Sequence, residues 1–425
     1  MTLSHDSQRF NTSGSAGAHP RDRIVKAVLT LLPFMGLLFI LPFRGTVALR
    51  LICFGAAILV VIYLWRRLAP PRIPCKTAIA LWAVVAALSL VGAVEPAYSL
   101  GEIKNEIVYT TIAFVVFFAV TRHEQDLKLL LSSLIAGAVI LCAGAIESRW
   151  QLGAWQERGT FYGGSGAFAG YAAAVAPMLF LFAAYTPEHR RRAIIIAICG
   201  LVAVTTFLSL QRIVWAAFAL QGLIAVVLLA RGGLLRLSWT RLTGAVCVII
   251  ALTAGIFLAV QAERFKGDTV GEVARDTRLK YWPSVVQKIA EHPLVGAGFG
   301  RGVMNKADRD LTPVDNPMLW HAHNVFLNFG YQMGVPGMLV FAWLIFCLLR
   351  EYWRLGQAPD DKLKLLGMAG IMLIAGVMLR NQASDEFLRD ASILFWALNG
   401  ALLGFGHRRL AQLRVSTAQP PAAKK

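Results

Sequence analysis

Apolar residues in this chain gather in long blocks parted by short polar connections. About 20 mostly apolar residues let an α-helix cross the hydrocarbon of a bilayer, and about twelve blocks answer that description. Their centres fall in residues 25–43, 46–64, 77–95, 106–121, 129–147, 167–186, 193–210, 212–230, 242–260, 323–349, 364–380 and 390–406. The pattern predicts an all-α polytopic membrane protein with about twelve transmembrane helices. Residues 1–24 are polar and the run after them is long enough to span, so a cleavable signal peptide is not expected.

Composition supports a membrane solvent: the 425 residues are 57% hydrophobic and 16% charged, against roughly half apolar and a quarter charged in soluble domains. The net charge of +18 would suggest nucleic acid in a soluble chain. Here the basic residues sort by connection instead, and no nucleic-acid partner is expected. One set of connections holds clusters such as Arg66, Arg67, Arg72 and Lys76, or Arg190, Arg191 and Arg192, while the other holds Arg44, Arg50, Lys104, Arg149, Arg158, Arg212, Arg380 and Arg389 thinly spread. The positive-inside rule then puts both termini in the cytoplasm. The expected layout is a cytoplasmic segment 1–24, nine spans in 25–260, a large external loop 261–322, three spans in 323–406 and a cytoplasmic tail 407–425. None of the six cysteines falls in an external segment or a CxxC pair, so no disulfide framework is implied.

The long external connection carries nearly balanced charges. In its stretch TRLKYWPSVVQKIAEHPLVG, Trp282, Val285, Val286 and Ile289 recur at helical spacing and predict an amphipathic helix, with Pro283 in the first turn or at a kink. That helix should end near His292-Pro293, with GAGFGRG following as a flexible turn. A second external connection, 148–166, is rich in aromatic residues and glycine and suits interfacial anchoring.

Ionisable residues beside apolar helices are costly and therefore functional candidates. Arg212 opens the eighth span on the side where short loops avoid positive charge. A snorkelling anchor is one reading of it; a fork for phosphate is the other. Arg278 begins the amphipathic stretch and is either a solvated loop charge or a second cation for the same ligand. His321 and His323, with Asn324 beside them, mark the external edge of the tenth span. Histidine titrates near neutrality and can accept a proton from a hydroxyl; interfacial hydrogen bonding is the plainer alternative. Two imidazoles near Asp308, Asp310 and Asp315 match no specific metal motif, so no metal or other cofactor is expected.

Together these residues resemble the O-antigen ligase family, within a superfamily that also holds O-antigen polymerases and O-linked oligosaccharyltransferases. His323 and Asn324, nine residues, then Gly334 and Gly337 fit its pattern H-[NSQ]-x(9)-G-x-x-[GTY]. Arg278, Trp282, His292, Pro293, Gly296, Gly298 and Gly300 fit its loop pattern, and Arg212 resembles its arginine at the start of a late helix. Arg158 in R-G-T-F looks like a fourth feature, although Gly163, Gly164 and Ser165 stand where relatives place an Asn.

The resemblance implies a GT-C-like glycosyltransferase of the bacterial inner (cytoplasmic) membrane with its active site on the periplasmic face. The donor would be a glycan on undecaprenyl pyrophosphate, the acceptor a sugar hydroxyl of lipid A–core, and membrane lipids its surroundings. His323 would be the general base and Arg212 and Arg278 the pyrophosphate clamp, in a metal-independent, inverting transfer that completes lipopolysaccharide. Arg158, Arg264, His321, Asn324, Asp385, Arg389 and Asp390 are further candidates at external edges. An O-antigen polymerase or an O-linked protein oligosaccharyltransferase shares this donor chemistry, and no motif encodes the acceptor. A lipid or solute transporter would place its ionisable residues at mid-membrane and show repeated halves; here they cluster at helix ends.

Overall fold

A computed structural model of the chain describes residues 20–68, 70–152, 164–235, 238–265, 277–312, 320–383, 387 and 389–418. All regular structure among them is helical. The helices are α1 Pro20–Ile40, α2 Val47–Leu68, α3 Lys76–Leu88, α4 Pro96–Ile103, α5 Tyr109–Val120, α6 Glu124–Leu152, α7 Ser165–Ala184 and α8 His189–Leu208. They continue with α9 Arg212–Arg231, α10 Trp239–Phe265, α11 Thr277–Glu291, α12 Val303–Ala307, α13 Val325–Gly356, α14 Asp361–Arg380 and α15 Arg389–Ala418. One π-helical turn, Lys104–Val108, joins α4 to α5. Each expected span overlaps one of these helices, though 77–95 runs past the end of α3 and 106–121 begins in the π-helical turn. Eight helices among the described residues are long and apolar enough to cross a membrane, and α1, α3 and α10 carry shorter apolar runs.

Small residues set how closely the helices approach. Gly400 and Gly404 let α15 lie on α5, where any added Cβ would meet the carbonyl oxygens of Phe114 and Phe118. The buried Gln221 amide ties three helices together, donating to Ala173 O of α7 at 2.7 Å and Met372 O of α14 at 3.1 Å. Such a polar group is tolerated in an apolar interior because its donors are used.

The centre of the design is a break in α13. Gly334 sits at φ 68°, ψ −170°, inside what is otherwise one long helix, and Pro336 follows it. Proline has no N–H, so Gln332 O loses its helical partner. Val335 N–H would close on Tyr331 O but donates instead to Pro293 O at 2.8 Å. Two carbonyls are thus released, and the glycine loop after α11 takes both: Ala297 N–H donates to Tyr331 O at 2.9 Å and Gly298 N–H to Gln332 O at 3.1 Å. The Gln332 side chain adds an acceptor for Gly300 N–H at 2.8 Å. Gly334 has no room for a Cβ against Pro293 and Leu294. From the other side, Val94 N–H donates to Ala297 O at 3.1 Å and Gly302 N–H to the Tyr98 hydroxyl at 3.0 Å. The loop expected to be flexible is therefore largely buried and held by these bonds, because it substitutes for a missing helical turn.

The amphipathic helix is present as α11, and its buried stripe runs through Tyr281, Val285 and Ile289 onto Ala297, Ala322 and Tyr331. Trp282 packs at the edge of that cluster, whereas Val286 is 52% exposed. Pro283 stands inside the helix and points outward. It is neither in a described first turn nor on the packed face. We expect Gly334→Ala to destabilise the protein by at least about 2 kcal/mol, from positive-φ strain and the clash with Pro293. It should also speed protease cleavage at 293–302. Gly255→Ala, at an open position of α10, should leave the melting temperature unchanged or slightly raised. Equal melting of the two variants would remove the break from the account.

Candidate functional site

The site lies at the end of the bundle where α7, α9 and α13 begin and α14 finishes. Hydrogen bonds link these four ends. Gln211, beside Arg212, donates through Nε2 to Ser165 Oγ at 3.0 Å. Arg380 donates to Gly166 O at 2.7 Å, and Val325 N–H donates to Asn381 O at 3.0 Å. Arg212 at the start of α9 and His323 just before α13 therefore share one end of one packed assembly.

The turn 321–325 is pinned on several sides. Trp282 Nε1 of α11 donates to Ala322 O at 2.8 Å, and Ala322 N–H donates to Asn328 Oδ1 at 3.0 Å. Asn324 caps α13, accepting from the N–H groups of Phe326 and Leu327 at 3.0 and 3.1 Å. Its amide donates to Gln382 Oε1 at 3.1 Å, so both ends of the side chain are committed to holding the helix start against α14. His323 has φ 51°, the left-handed region. That conformation costs a non-glycine residue on the order of 1–3 kcal/mol and persists only where the surroundings impose it.

His321 and His323 are stacked with ring centroids 3.8 Å apart. His323 N–H donates to His321 Nδ1 at 3.1 Å, and Asn328 Nδ2 faces the same nitrogen at 3.5 Å. Nδ1 is thus an acceptor, which puts the His321 proton on Nε2. Burial, reinforced by His323, Arg301 and Arg278, pushes the His321 pKa far below the ordinary histidine range. His321 is therefore a neutral platform under His323, at only 3% exposure.

Two cations, Arg278 and Arg301, act on this pair, and Arg212 lies at the same end of the bundle. Arg278, in the first turn of α11, is close enough to act on His321 electrostatically. Arg301 lies over the Trp320 ring at 4.9 Å, and Trp320 in turn meets His321 edge-on at 4.5 Å. Arg212 sits over Phe257 of α10 at 5.9 Å. Sequence reasoning counted Arg301 and Arg380 only as loop charges. The signal for Arg301 was its place directly after the glycine run; for Arg380, fully buried, it was a basic residue at a helix end on the arginine-poor side.

The remaining candidates lie apart or outside. Arg389 opens α15, its N–H donating to Glu106 Oε1 at 2.6 Å and its guanidinium lying 3.4 Å from Glu102. Asp390 pairs with Arg50. Arg158, Asp385 and the side chain of Arg264 lie outside the described residues. Asp308 accepts from the Tyr331 hydroxyl at 2.5 Å and pairs with Lys288 at 3.1 Å. Among the described residues no group of three His, Cys, Asp or Glu side chains is placed to hold a metal ion, and Asp315 lies outside them.

Because folded His321 resists protonation while the unfolded chain takes a proton near pH 6.5, stability should fall as pH drops below that point. The slope is up to about 1.4 kcal/mol per pH unit. Unfolding in detergent at pH 7.5 and 5.0 should show wild type losing ground to His321→Gln on acidification; a gap independent of pH would contradict a neutral His321.

No curated protein matches the chain. The family model described as O-antigen ligase matches residues 197–342, a stretch that contains Arg212, Arg278, Arg301, His321 and His323. The match supports assigning the chain to the O-antigen ligase family.

Proposed function

With an O-antigen ligase domain as the premise, we propose that this protein transfers O-antigen glycan from undecaprenyl pyrophosphate to a sugar hydroxyl of lipid A–core. The observation that carries the reading is His323, fixed at the start of α13 on a neutral His321. It shares one end of the bundle with Arg212 and Arg278, all within the matched region. In this reading that end faces the periplasm, both termini lie in the cytoplasm, and about twelve helices cross the inner membrane in a GT-C-like arrangement.

The donor brings its own driving force, since the bond from the anomeric carbon to the pyrophosphate is already activated. His323 takes the proton of the acceptor hydroxyl as that oxygen bonds to the anomeric carbon. The carbon–oxygen bond to pyrophosphate breaks, its electron pair leaving with the phosphate oxygen. A positioned base contributes about 10²–10⁴-fold. Arg212 and Arg278 bind the leaving pyrophosphate by paired N–H donors, and removing one such clamp costs about 10²–10³-fold. Cationic guanidinium groups supply the charge that a divalent ion supplies in other transferases, so transfer should continue in EDTA. Attack opposite the leaving group inverts the anomeric centre. His321 serves as a positioning residue: uncharged, it adds no repulsion when His323 becomes protonated.

Purified protein incubated with lipid-linked O-antigen, lipid A–core and EDTA should form lipopolysaccharide. His323→Ala and Arg212→Ala, folded, should each lose at least about 100-fold in rate. Full activity in His323→Ala would sink the base, and longer glycans or glycosylated protein in place of lipopolysaccharide would move the assignment to a polymerase or a protein-modifying sibling.

A further inference from the structure

Beside the site, a cleft opens at the same end of the bundle, walled by the α1–α2 connection, α2, α6, α7, α14 and α15. Its floor is apolar, formed by Leu141, Phe168, Leu394 and Phe395, and its rim carries Arg44, Arg50, Arg389 and Asp390. Arg50 is built in: it donates to Phe43 O at 2.6 Å and Thr46 Oγ1 at 2.8 Å, and it pairs with Asp390. That pair cancels one charge. Arg44 and Arg389 are both exposed on the rim, and the Arg389 guanidinium lies 3.4 Å from Glu102 behind it.

Two lining elements are shared with the site. Asn381 lines the cleft, and its carbonyl accepts from Val325, two residues past His323. The first turn of α7 lines it through Ala167 and Phe168, just after the Ser165 that Gln211 grips beside Arg212. Arg212, Arg278 and Arg301 do not line the cleft. The acceptor oxygen must reach the anomeric carbon from the side opposite the leaving pyrophosphate, with the base on that oxygen, so a two-substrate site needs a second compartment on the side away from the clamp. The cleft borders the junction of α14 with the start of α13, two residues past His323, and none of the three arginines lines it.

We propose that the cleft is the acceptor subsite and that it takes a phosphorylated glycolipid. The apolar floor accepts acyl chain, the rim guanidinium groups bind phosphate, and the Asp390 carboxylate accepts from sugar hydroxyls. The proposal rests on the transferase reading above. Its phosphate chemistry is shared with anionic phospholipid and with polyprenyl phosphate, and the test separates the three.

Full-length protein would be titrated in native mass spectrometry with bisphosphorylated lipid A, its phosphatase-treated form, phosphatidylglycerol and undecaprenyl phosphate. Two variants would be compared with wild type: Arg44→Gln, which removes a rim charge, and Ala391→Trp, which fills the mouth without changing charge. Bisphosphorylated lipid A should bind about tenfold more tightly than the dephosphorylated form, and both variants should abolish that preference. In transfer assays the acceptor KM should rise about tenfold in either variant, with donor KM and kcat held. A preference that survives both variants would overturn the proposal, as would equal retention of phosphatidylglycerol. Undecaprenyl phosphate bound best and lost in the variants, or a change confined to donor KM, would give the cleft to the donor. Selective lipid A binding without transfer by wild type would end the transferase reading while leaving the phosphoglycolipid site in place.

Discussion

The protein depends on one exchange of hydrogen bonds. A helix interrupted by Gly334 and Pro336 releases two carbonyls, and a glycine loop from a distant part of the chain satisfies them. In an apolar surround an orphaned carbonyl costs several kcal/mol, so neither the break nor the loop is stable without the other. Once joined, they fix the first half of α13, whose N-terminal turn carries His321 and His323. The loop also ends the helix that bears Arg278 and leads into Arg301. A structural necessity of the backbone thus delivers two stacked histidines and two cations to one end of the bundle.

The electrostatics follow from that convergence. Burial and the nearby cations hold His321 uncharged, while stacking and the backbone bond from His323 use it as a support. His323 pays for its left-handed backbone through the Asn324 cap, the Trp282 bond and the Asn328 bond around it. Such strain is kept where a side chain must point in one direction. Arg278 of α11 and Arg301 of the glycine loop act on the histidine pair, whereas the cleft beside α2 and α15 has its own arginines and an apolar floor.

Most of the helical layout was legible in the sequence, since hydrophobic blocks of spanning length allow few alternatives. The fixed glycines were legible as a pattern, but their reason was not: that Gly334 breaks a helix to receive Ala297 and Gly298 depends on pairing across more than thirty residues. The glycine run reads as flexible for the same cause. Val286 has helical spacing yet faces outward, because Tyr281 rather than Val286 continues the stripe set by Val285 and Ile289. Arg301 and Arg380 went unread because a charge acquires meaning from its neighbours, Trp320 and α7, which come from elsewhere in the chain.

The central claim is that the broken helix, α9 and α11 form a single pyrophosphate site in front of His323. A cryo-electron microscopy structure with undecaprenyl pyrophosphate bound tests it most directly. The account predicts density for the two phosphates within hydrogen-bond reach of both Arg212 and Arg278, on the side of His323 that faces them. Phosphate density held by neither arginine, or by the rim of the neighbouring cleft, would contradict it.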